Sequence, residues 1–534
     1  MHKPFLALAI AFILLFSTNE SFSQSVQSQA MKLNWLLRTI DSYYSDSVNI
    51  QDITEYAIVE MLSKLDPHSV YISEKEVQEM NEPLQGSFEG IGISFNIFHD
   101  TLMVLQTIPG GPSERVGLAA GDRIIYVDNE LIAGVGITNQ DVFKKLKGEK
   151  GTLVKVRILR KGDSELLDFN IIRDKIPLHS LDASYIIDEH TGYIKLSRFS
   201  ATTTEEFIAA LQELKNTGKF ENLILDLRGN GGGFLKAAYE VSDQFLGLGK
   251  LIVYTEGLKN PRKDYVATSD GIFENGRLVV LIDGGSASAS EIVSGAVQDW
   301  DRGVIVGRRS FGKGLVQQPY NYIDGSMIRL TTAHYYTPSG RCIQKPYEDG
   351  VEDYQNDYAD RYSRGELFSK DSIYINTELK YKTLVNKRDV FGGGGVIPDI
   401  FVPMDTSSHF KYLNELVRKN IFNPFVIDYV DKNRNSLLKK YPDFATFKKN
   451  YDVSKEMLEE LWAEGEKNGV SKNTEAINFL ENNIKRQLKA SIARNLWTAS
   501  CFYEIINEGE EDIINAISII NNPTQYNSML KNNK

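Results

Sequence analysis

Leu278-Val279-Val280-Leu281-Ile282-Asp283-Gly284-Gly285-Ser286-Ala287-Ser288-Ala289-Ser290-Glu291 passes from an apolar run through a turn of small residues into a helical pattern ending near Trp300. The apolar run is short and bounded by turn signals, which predicts a buried strand. Small residues at the turn permit a sharp bend and close approach of another backbone. Upstream the rhythm recurs: a strand over Tyr193–Leu196, a helix over Thr204–Asn216, a strand over Leu223–Leu227 and a helix over Phe234–Phe245. Alternating strands and helices predict an α/β layer with right-handed crossovers.

A serine just ahead of a helix lies beside backbone N–H groups that lack an intrahelical partner, at the positive end of the helix dipole. Such groups can stabilise an oxyanion. The same stretch also fits a Gly/Ser connection, or simple capping by Ser288 or Ser290. Downstream, Val304 to Gln317 adds a second feature, because Lys313 stands alone between Gly312 and Gly314. A serine hydroxyl is a weak nucleophile and needs a base. Lysine serves only when neutral, and burial lowers its pKa by disfavouring the charged form. Gln317 can hold such an amine without recharging it. On a regular strand the Cα atoms of Lys313 and Gln317 stand about 13 Å apart, at about 3.3 Å per residue. Their contact therefore requires the chain to bend at the glycines.

Together these segments resemble the C-terminal processing peptidases, also called tail-specific proteases. The family signature is Ser-Ala-Ser-Ala-Ser-Glu, then Phe-Gly-Lys-Gly, then Val-Gln; here these are Ser286 to Glu291, Phe311 to Gly314, and Val316-Gln317. Lys313 follows Ser288 by 25 positions, the spacing of the family. The resemblance implies a ClpP/crotonase-like α/β protease core in which Ser288 is the nucleophile, Lys313 the general base and Gln317 the third member. Leu225 to Gly233 resembles the family's oxyanion loop, with Gly229 where the family usually has Asn and Gly231 where it has Pro. The resemblance places the oxyanion donors at the N–H group of Gly232, on a loop expected to be more flexible, and at that of Ala289. No Gly-Lys-Ser/Thr follows these glycines, which argues against a phosphate loop. Leu330 to Arg341 and Gly395 to Asp399 resemble framework segments, and Leu65 to Ser69 is expected to be structural.

Between Ser87 and Asp174 short strands alternate with turns, around one helix near Asn139–Lys147. Gly90-Ile91-Gly92-Ile93 resembles the carboxylate-binding loop of PDZ domains, and Gly117 to Ile124 strengthens the likeness. Successive backbone N–H groups there can hold a chain-terminal carboxylate, while the peptide adds a strand to the sheet edge. Val142 and Leu146 of the helix are expected to line the side-chain pocket, so the partners expected are proteins or peptides with apolar C-terminal tails.

With 534 residues, and roughly 150 per domain, the chain predicts a multidomain α/β protein. Its formal charge of −11 argues against a nucleic-acid surface. Lys3 followed by the apolar run Phe5–Phe16 and by Ser21-Phe22-Ser23 reads as a cleavable signal over residues 1–23, hence export to the periplasm or another extracytoplasmic site. A helical region is expected over 24–80, the PDZ domain over 81–178, the protease core over 179–405 and a helical region over 406–534. Residues 345–389, polar and without clear period, read as an insertion in the core. Leu496, Trp497, Ile513 and Ile517 are expected to pack on the core or a partner, and a homo-oligomer through the terminal helices is expected from the family. Cys342 and Cys501 have no Cys or His at metal-ligand spacing, so two free thiols and no metal or cofactor are expected. The competing readings are a non-catalytic peptide- or ligand-binding protein on the same fold, and a Ser–His–Asp hydrolase using His334 or His68.

Overall fold

The computed structural model describes residues 26–405 and 408–531; the signal expected over 1–23 lies outside them. Among the described residues no helix is long and apolar enough to cross a membrane.

The core is a six-stranded sheet whose spatial order follows the chain: Leu181–Ile186, Thr191–Leu196, Asn222–Asp226, Leu278–Ile282, Val304–Gly307 and Ile400–Phe401. The first strand is antiparallel to the second and the remaining pairings are parallel. A parallel strand needs cover on both faces. Leu278, Val280 and Ile282 point into one core with Leu223, Leu225 and the helices Thr203–Asn216, Leu235–Asp243 and Ala289–Asp299. Val279 and Leu281 point the other way, with Ile224, Val304 and Val306, onto the C-terminal helix Glu511–Ile520 and Tyr526. The helix Glu511–Ile520 and Tyr526 are therefore the second cover of the core sheet. Leu496 and Cys501 belong elsewhere, to a bundle of helices between Ser408 and Ile506 with its own core around Leu416, Val426, Leu461, Trp462 and Ile484.

A second sheet flanks the first. Its long central strand Met327–Tyr336 pairs with Leu315–Asn321, Leu251–Gly257 and the short strand Val70–Ile72. This last pairing brings Asp66 and Ser69 to Thr331, whose N–H donates to the Ser69 hydroxyl (3.0 Å) and whose hydroxyl donates to Asp66 (3.0 Å). Residues 26–43 and Ile50–Ser63 are helical, and the helix expected from Glu74 runs on to Gln85, closed by Gly86.

The β-rich module is an antiparallel sheet in the order Ile93–Phe98, Thr101–Thr107, Arg123–Val127, Leu153–Leu159, Leu167–Ile172, with the helix Asn139–Leu146 against it. Leu153–Leu159 alternates exposed and buried positions throughout, as a half-buried strand must. Val142 and Leu146 face inward, into the module's core. They do not line an open groove. Phe143 is the exposed apolar residue of that helix, and its ring packs on Phe95 of the edge strand. The module meets the helical bundle through Gln106, which donates to the carbonyls of Arg494 and Trp497, and through an Arg123–Asp431 ion pair at 2.8 Å.

Residues 345–389 are ordered. They hold the helix Val351–Ser363, two short 3-10 turns and a ribbon pairing Lys380–Lys382 with Asp389–Phe391. Cys342 and Cys501 are free thiols.

Candidate active site

Of the serines in the turn, Ser286 and Ser290 are fully buried and spend their hydroxyls on the carbonyls of Leu227 and Asn230 (both 2.8 Å). Ser288 reaches solvent and caps the helix Ala289–Asp299. Its φ of 53° and ψ of −110° lie outside the regions a side chain favours, a strain that persists only where the surroundings impose it. The surroundings do so here. Ala287 N–H donates to Asn230 O (3.0 Å), Ser288 N–H to Glu291 Oε2 (2.8 Å), and the Tyr335 hydroxyl to Ser288 O (3.1 Å). The Ala289 N–H, at the first helical position, needs no partner within the helix and opens beside Ser288.

Glu291 was given no role by the sequence reading, though its Ser-x-x-Glu spacing is that of a capping box. It is fully buried. Oε2 accepts from the N–H groups of both Ser288 (2.8 Å) and Lys313 (2.9 Å), while Oε1 accepts from Gly312 N–H (2.7 Å) and the Ser310 hydroxyl. Burial pushes its pKa up, and those four donors oppose the shift. One carboxylate thus fastens the serine turn to the lysine segment. Among the described residues no hydrogen bond joins the Ser288 hydroxyl directly to the Lys313 amine; the two main chains meet on Glu291.

Lys313 is half-buried. Burial lowers its pKa below 10.5, Arg329 lowers it further, and Glu291 and Asp66 work in the opposite direction. The neighbouring Gly314 has no room for a side chain: a Cβ there would lie 2.9 Å from Gln344 N. Its N–H donates to Gln344 Oε1 at 2.7 Å. Among the described residues Gln317 makes no hydrogen bond to the Lys313 amine. Its amide donates to the Thr331 hydroxyl at 3.3 Å, in a chain that continues to Asp66. The reason is register: the strand starts at Leu315, shifts between Val316 and Gln317, and sets Gln317 directly opposite Thr331.

The glycine loop packs against the serine turn. A Cβ at Gly232 (φ +98°) would stand 2.8 Å from both Ala287 O and Ser288 Cβ, so the approach requires glycine. The loop is nevertheless closed at the expected donor. Gly232 N–H already donates to Asn230 Oδ1 at 2.9 Å, and Asn230 Nδ2 donates to Leu196 O at 3.0 Å. Asn230, fully buried, is the pin of this loop and was not singled out by the sequence reading.

His68 hydrogen-bonds the Tyr354 hydroxyl at 2.7 Å, and His334 lies on the strand opposite Leu315 and Glu256. Among the described residues neither histidine hydrogen-bonds Ser288, which leaves the Ser–His–Asp reading without a base. Burial, then the charge of Lys313, lowers the pKa of His68 to about 4. Gly90 to Ile93 leads into the edge strand of the β-rich module, with Gly92 at φ +73° and its carbonyl bonded to Ile108 N–H. Among the described residues no group of three His, Cys, Asp or Glu side chains could hold a metal ion.

Residues 190–354 match peptidase family S41, residues 90–171 match the PDZ domain, and residues 412–498 match a family of unknown function. A carboxy-terminal-processing protease of Bartonella bacilliformis is 35% identical over 63% of this chain and 77% of its own length. The carboxy-terminal processing protease CtpB of Bacillus subtilis is 33% identical over 70% of this chain and 78% of its own. A solved photosystem II D1 C-terminal processing protease is 30% identical, with a TM-score of 0.34 over 57% of this chain and 82% of that one. With these relatives matched over more than three quarters of their length, the chain belongs to the carboxy-terminal processing proteases, serine endopeptidases of family S41.

Proposed function

We propose that this chain cuts proteins near their C-terminal tails with Ser288 as nucleophile and Lys313 as general base. The observation that carries the reading is the shared carboxylate of Glu291, which holds the main chains of both residues on one oxygen. Neutral Lys313 takes the proton of the Ser288 hydroxyl as its oxygen attacks the substrate carbonyl. The negative charge that develops is met by the Ala289 N–H at the helix start. For Gly232 to add a second donor, its N–H must leave Asn230 Oδ1. Lysine returns the proton to the departing amine, and water then releases the acyl group from Ser288. Gln317 acts on this machinery through Thr331 and Asp66 rather than on the amine itself.

The PDZ module selects the substrate. An apolar tail adds a strand along Ile93–Phe98, its carboxylate held by the N–H groups of Gly90 to Ile93, with Phe95 and Phe143 beside its side chains. The engaged Gly232 N–H favours one competitor, a protein that binds tails without cutting them. Incubation with an unstructured protein bearing an apolar tail separates the two. Ser288→Ala and Lys313→Ala are expected to abolish cleavage and leave tail binding intact; cleavage by either variant would refute the assignment. Cleavage by the unmodified chain should rise with pH as Lys313 loses its proton, with an inflection below 10.5.

Self-association is proposed through the helix of residues 26–43, which exposes Val26, Met31, Trp35 and Tyr43. A chain starting at Asp46 is expected to sediment as a smaller species, and an unchanged species would remove the helix from that role. Export is proposed from residues 1–23, and sequencing the amino terminus of the mature protein tests it.

A further inference from the structure

The helix Glu511–Ile520 begins where two strands of the core sheet end. Asp512, in its first turn and 5% exposed, accepts from two arginines, Arg228 Nη1 at 3.0 Å and Arg308 Nη2 at 3.2 Å. Arg228 is the root of the glycine loop Gly229–Gly233. Arg308 is the root of the segment that leads to Lys313. Both guanidinium groups are oriented before Asp512 is counted. Arg228 donates to both oxygens of Asp226 (3.0 and 2.7 Å), Lys195 donates to Arg228 O (3.0 Å), and Arg308 donates to Val402 O (3.1 Å). Glu510 also reaches Arg228, at 3.4 Å, from a more exposed position.

We infer that Asp512 is a positioning residue for the peptidase reaction, setting the spacing between the glycine loop and the lysine segment with one carboxylate drawn from outside the catalytic motifs. The inference rests on the reading of Ser288 and Lys313 given above. Two cations at the roots of two loops repel each other where little water screens them, though Asp226 offsets part of the charge of Arg228. A carboxylate between them turns that repulsion into a tie of defined length. Docking the helix does not require this tie, because Ile513, Ala516, Ile519 and Ile520 already bury its apolar face. Buried ion pairs add little net stability over apolar packing, so this one acts mainly on geometry. A small displacement of catalytic groups is costly to rate.

The experiment compares Asp512→Asn, Asp512→Glu, Arg308→Gln and the double variant Asp512→Asn/Arg308→Gln, in the full chain, on an unstructured protein with an apolar tail. Asp512→Asn should lower kcat about tenfold to a hundredfold with KM little changed. Asp512→Glu should recover part of the loss, and the double variant should be no worse than the poorer single one. Ile513→Val on the same helix should lower the melting temperature and leave kcat as it was. Wild-type kcat in Asp512→Asn, or a loss that merely tracks its melting temperature, would overturn the inference. Should Asp512→Asn fail to fold, Arg308→Gln decides alone, and wild-type kcat there overturns the inference equally. Ser288→Ala run alongside separates the two levels: cleavage by it removes the reading of the site, whereas an inactive Ser288→Ala beside a fully active Asp512→Asn removes only the tie.

Discussion

Two helices outside the catalytic motifs hold the segment that carries Lys313, and their chemistry is opposite. Glu511–Ile520 lies on the core sheet through Ile513, Ala516, Ile519 and Ile520 and reaches the segment only at Arg308. Val351–Ser363 buries Tyr354 and Arg361 instead. Arg361 donates to the carbonyls of Arg309 (3.3 Å), Ser310 (2.8 Å) and Phe311 (3.0 Å), and pairs with Asp357 at 2.9 Å. Lys345 adds a hydrogen bond to Tyr354 O (2.9 Å) and lies over the rings of Phe311 and Tyr354. Apolar burial is non-directional, whereas charge-assisted hydrogen bonds fix position. The first helix covers the sheet and the second fixes the course of the backbone leading to the lysine.

The comparison breaks most visibly at Arg361. Arg361→Met keeps most of the volume but strands the three carbonyls and takes one of its cations from Asp357, which keeps Lys345 at 3.0 Å. A loss of about 3–5 kcal/mol in chemical denaturation is expected, as for other buried ionic groups deprived of a partner. On the other helix, Ile520→Ala opens a cavity under Val279 and Leu281 and should cost about 2–5 kcal/mol, with kcat of the folded protein unchanged. If Ile520→Ala cut kcat as deeply as Arg361→Met, cover and latch would not be different devices.

The same contrast decides what the sequence could disclose. The strand Leu278–Ile282 and its helix are apolar and periodic, and the structure places them within a residue of expectation. Ile513 and Ile517 were visible as an apolar face, although not as the second cover of the catalytic sheet, because nothing local says which surface a C-terminal helix meets. Val351–Ser363 was missed as a helix since its buried residues are a tyrosine and an arginine, Tyr354 and Arg361, seven positions apart. That is a helical period, but hydrophobicity cannot see it. At the site, the motifs point to Ser288 and Lys313, while Glu291 left only the faint trace of a capping spacing and Asn230, which pins the glycine loop, left no local trace. The register that sets Gln317 opposite Thr331 was not legible, since a bulge at Val316 is not encoded in any residue type.

Acid sharpens the comparison, because the polar latch touches a histidine that holds its proton less tightly in the folded chain than in the unfolded one. His68, hydrogen-bonded to Tyr354, has its pKa lowered from 6.5 to about 4 by burial and by Lys313. The unfolded chain therefore binds this proton more readily, and the stability that neutral His68 contributes is complete above about 6.5 and is lost as pH falls toward about 4. After discounting for partial exposure this amounts to about 1–2 kcal/mol. Denaturation of His68→Gln should lack that part of the acid limb; an identical limb would place the titration elsewhere.

The smallest effect is expected from Tyr354→Phe. The ring keeps its edge contacts with His68 (5.2 Å) and Phe311 (5.8 Å), and only the hydroxyl is lost. That hydroxyl bonds a neutral imidazole at 2.7 Å, with Gln344 at 3.4 Å as a weaker neighbour. Removing it should cost about 1 kcal/mol, the ordinary worth of one neutral hydrogen bond. Cleavage should fall less than in Arg361→Met, because Arg361 holds the main chain at Ser310 and Phe311 whereas the Tyr354 hydroxyl reaches only side chains, the His68 imidazole and the Gln344 amide. A deeper loss of kcat in Tyr354→Phe than in Arg361→Met would invert the assignment. The phenol and His68 would then set the lysine, and the arginine would be the mere cover.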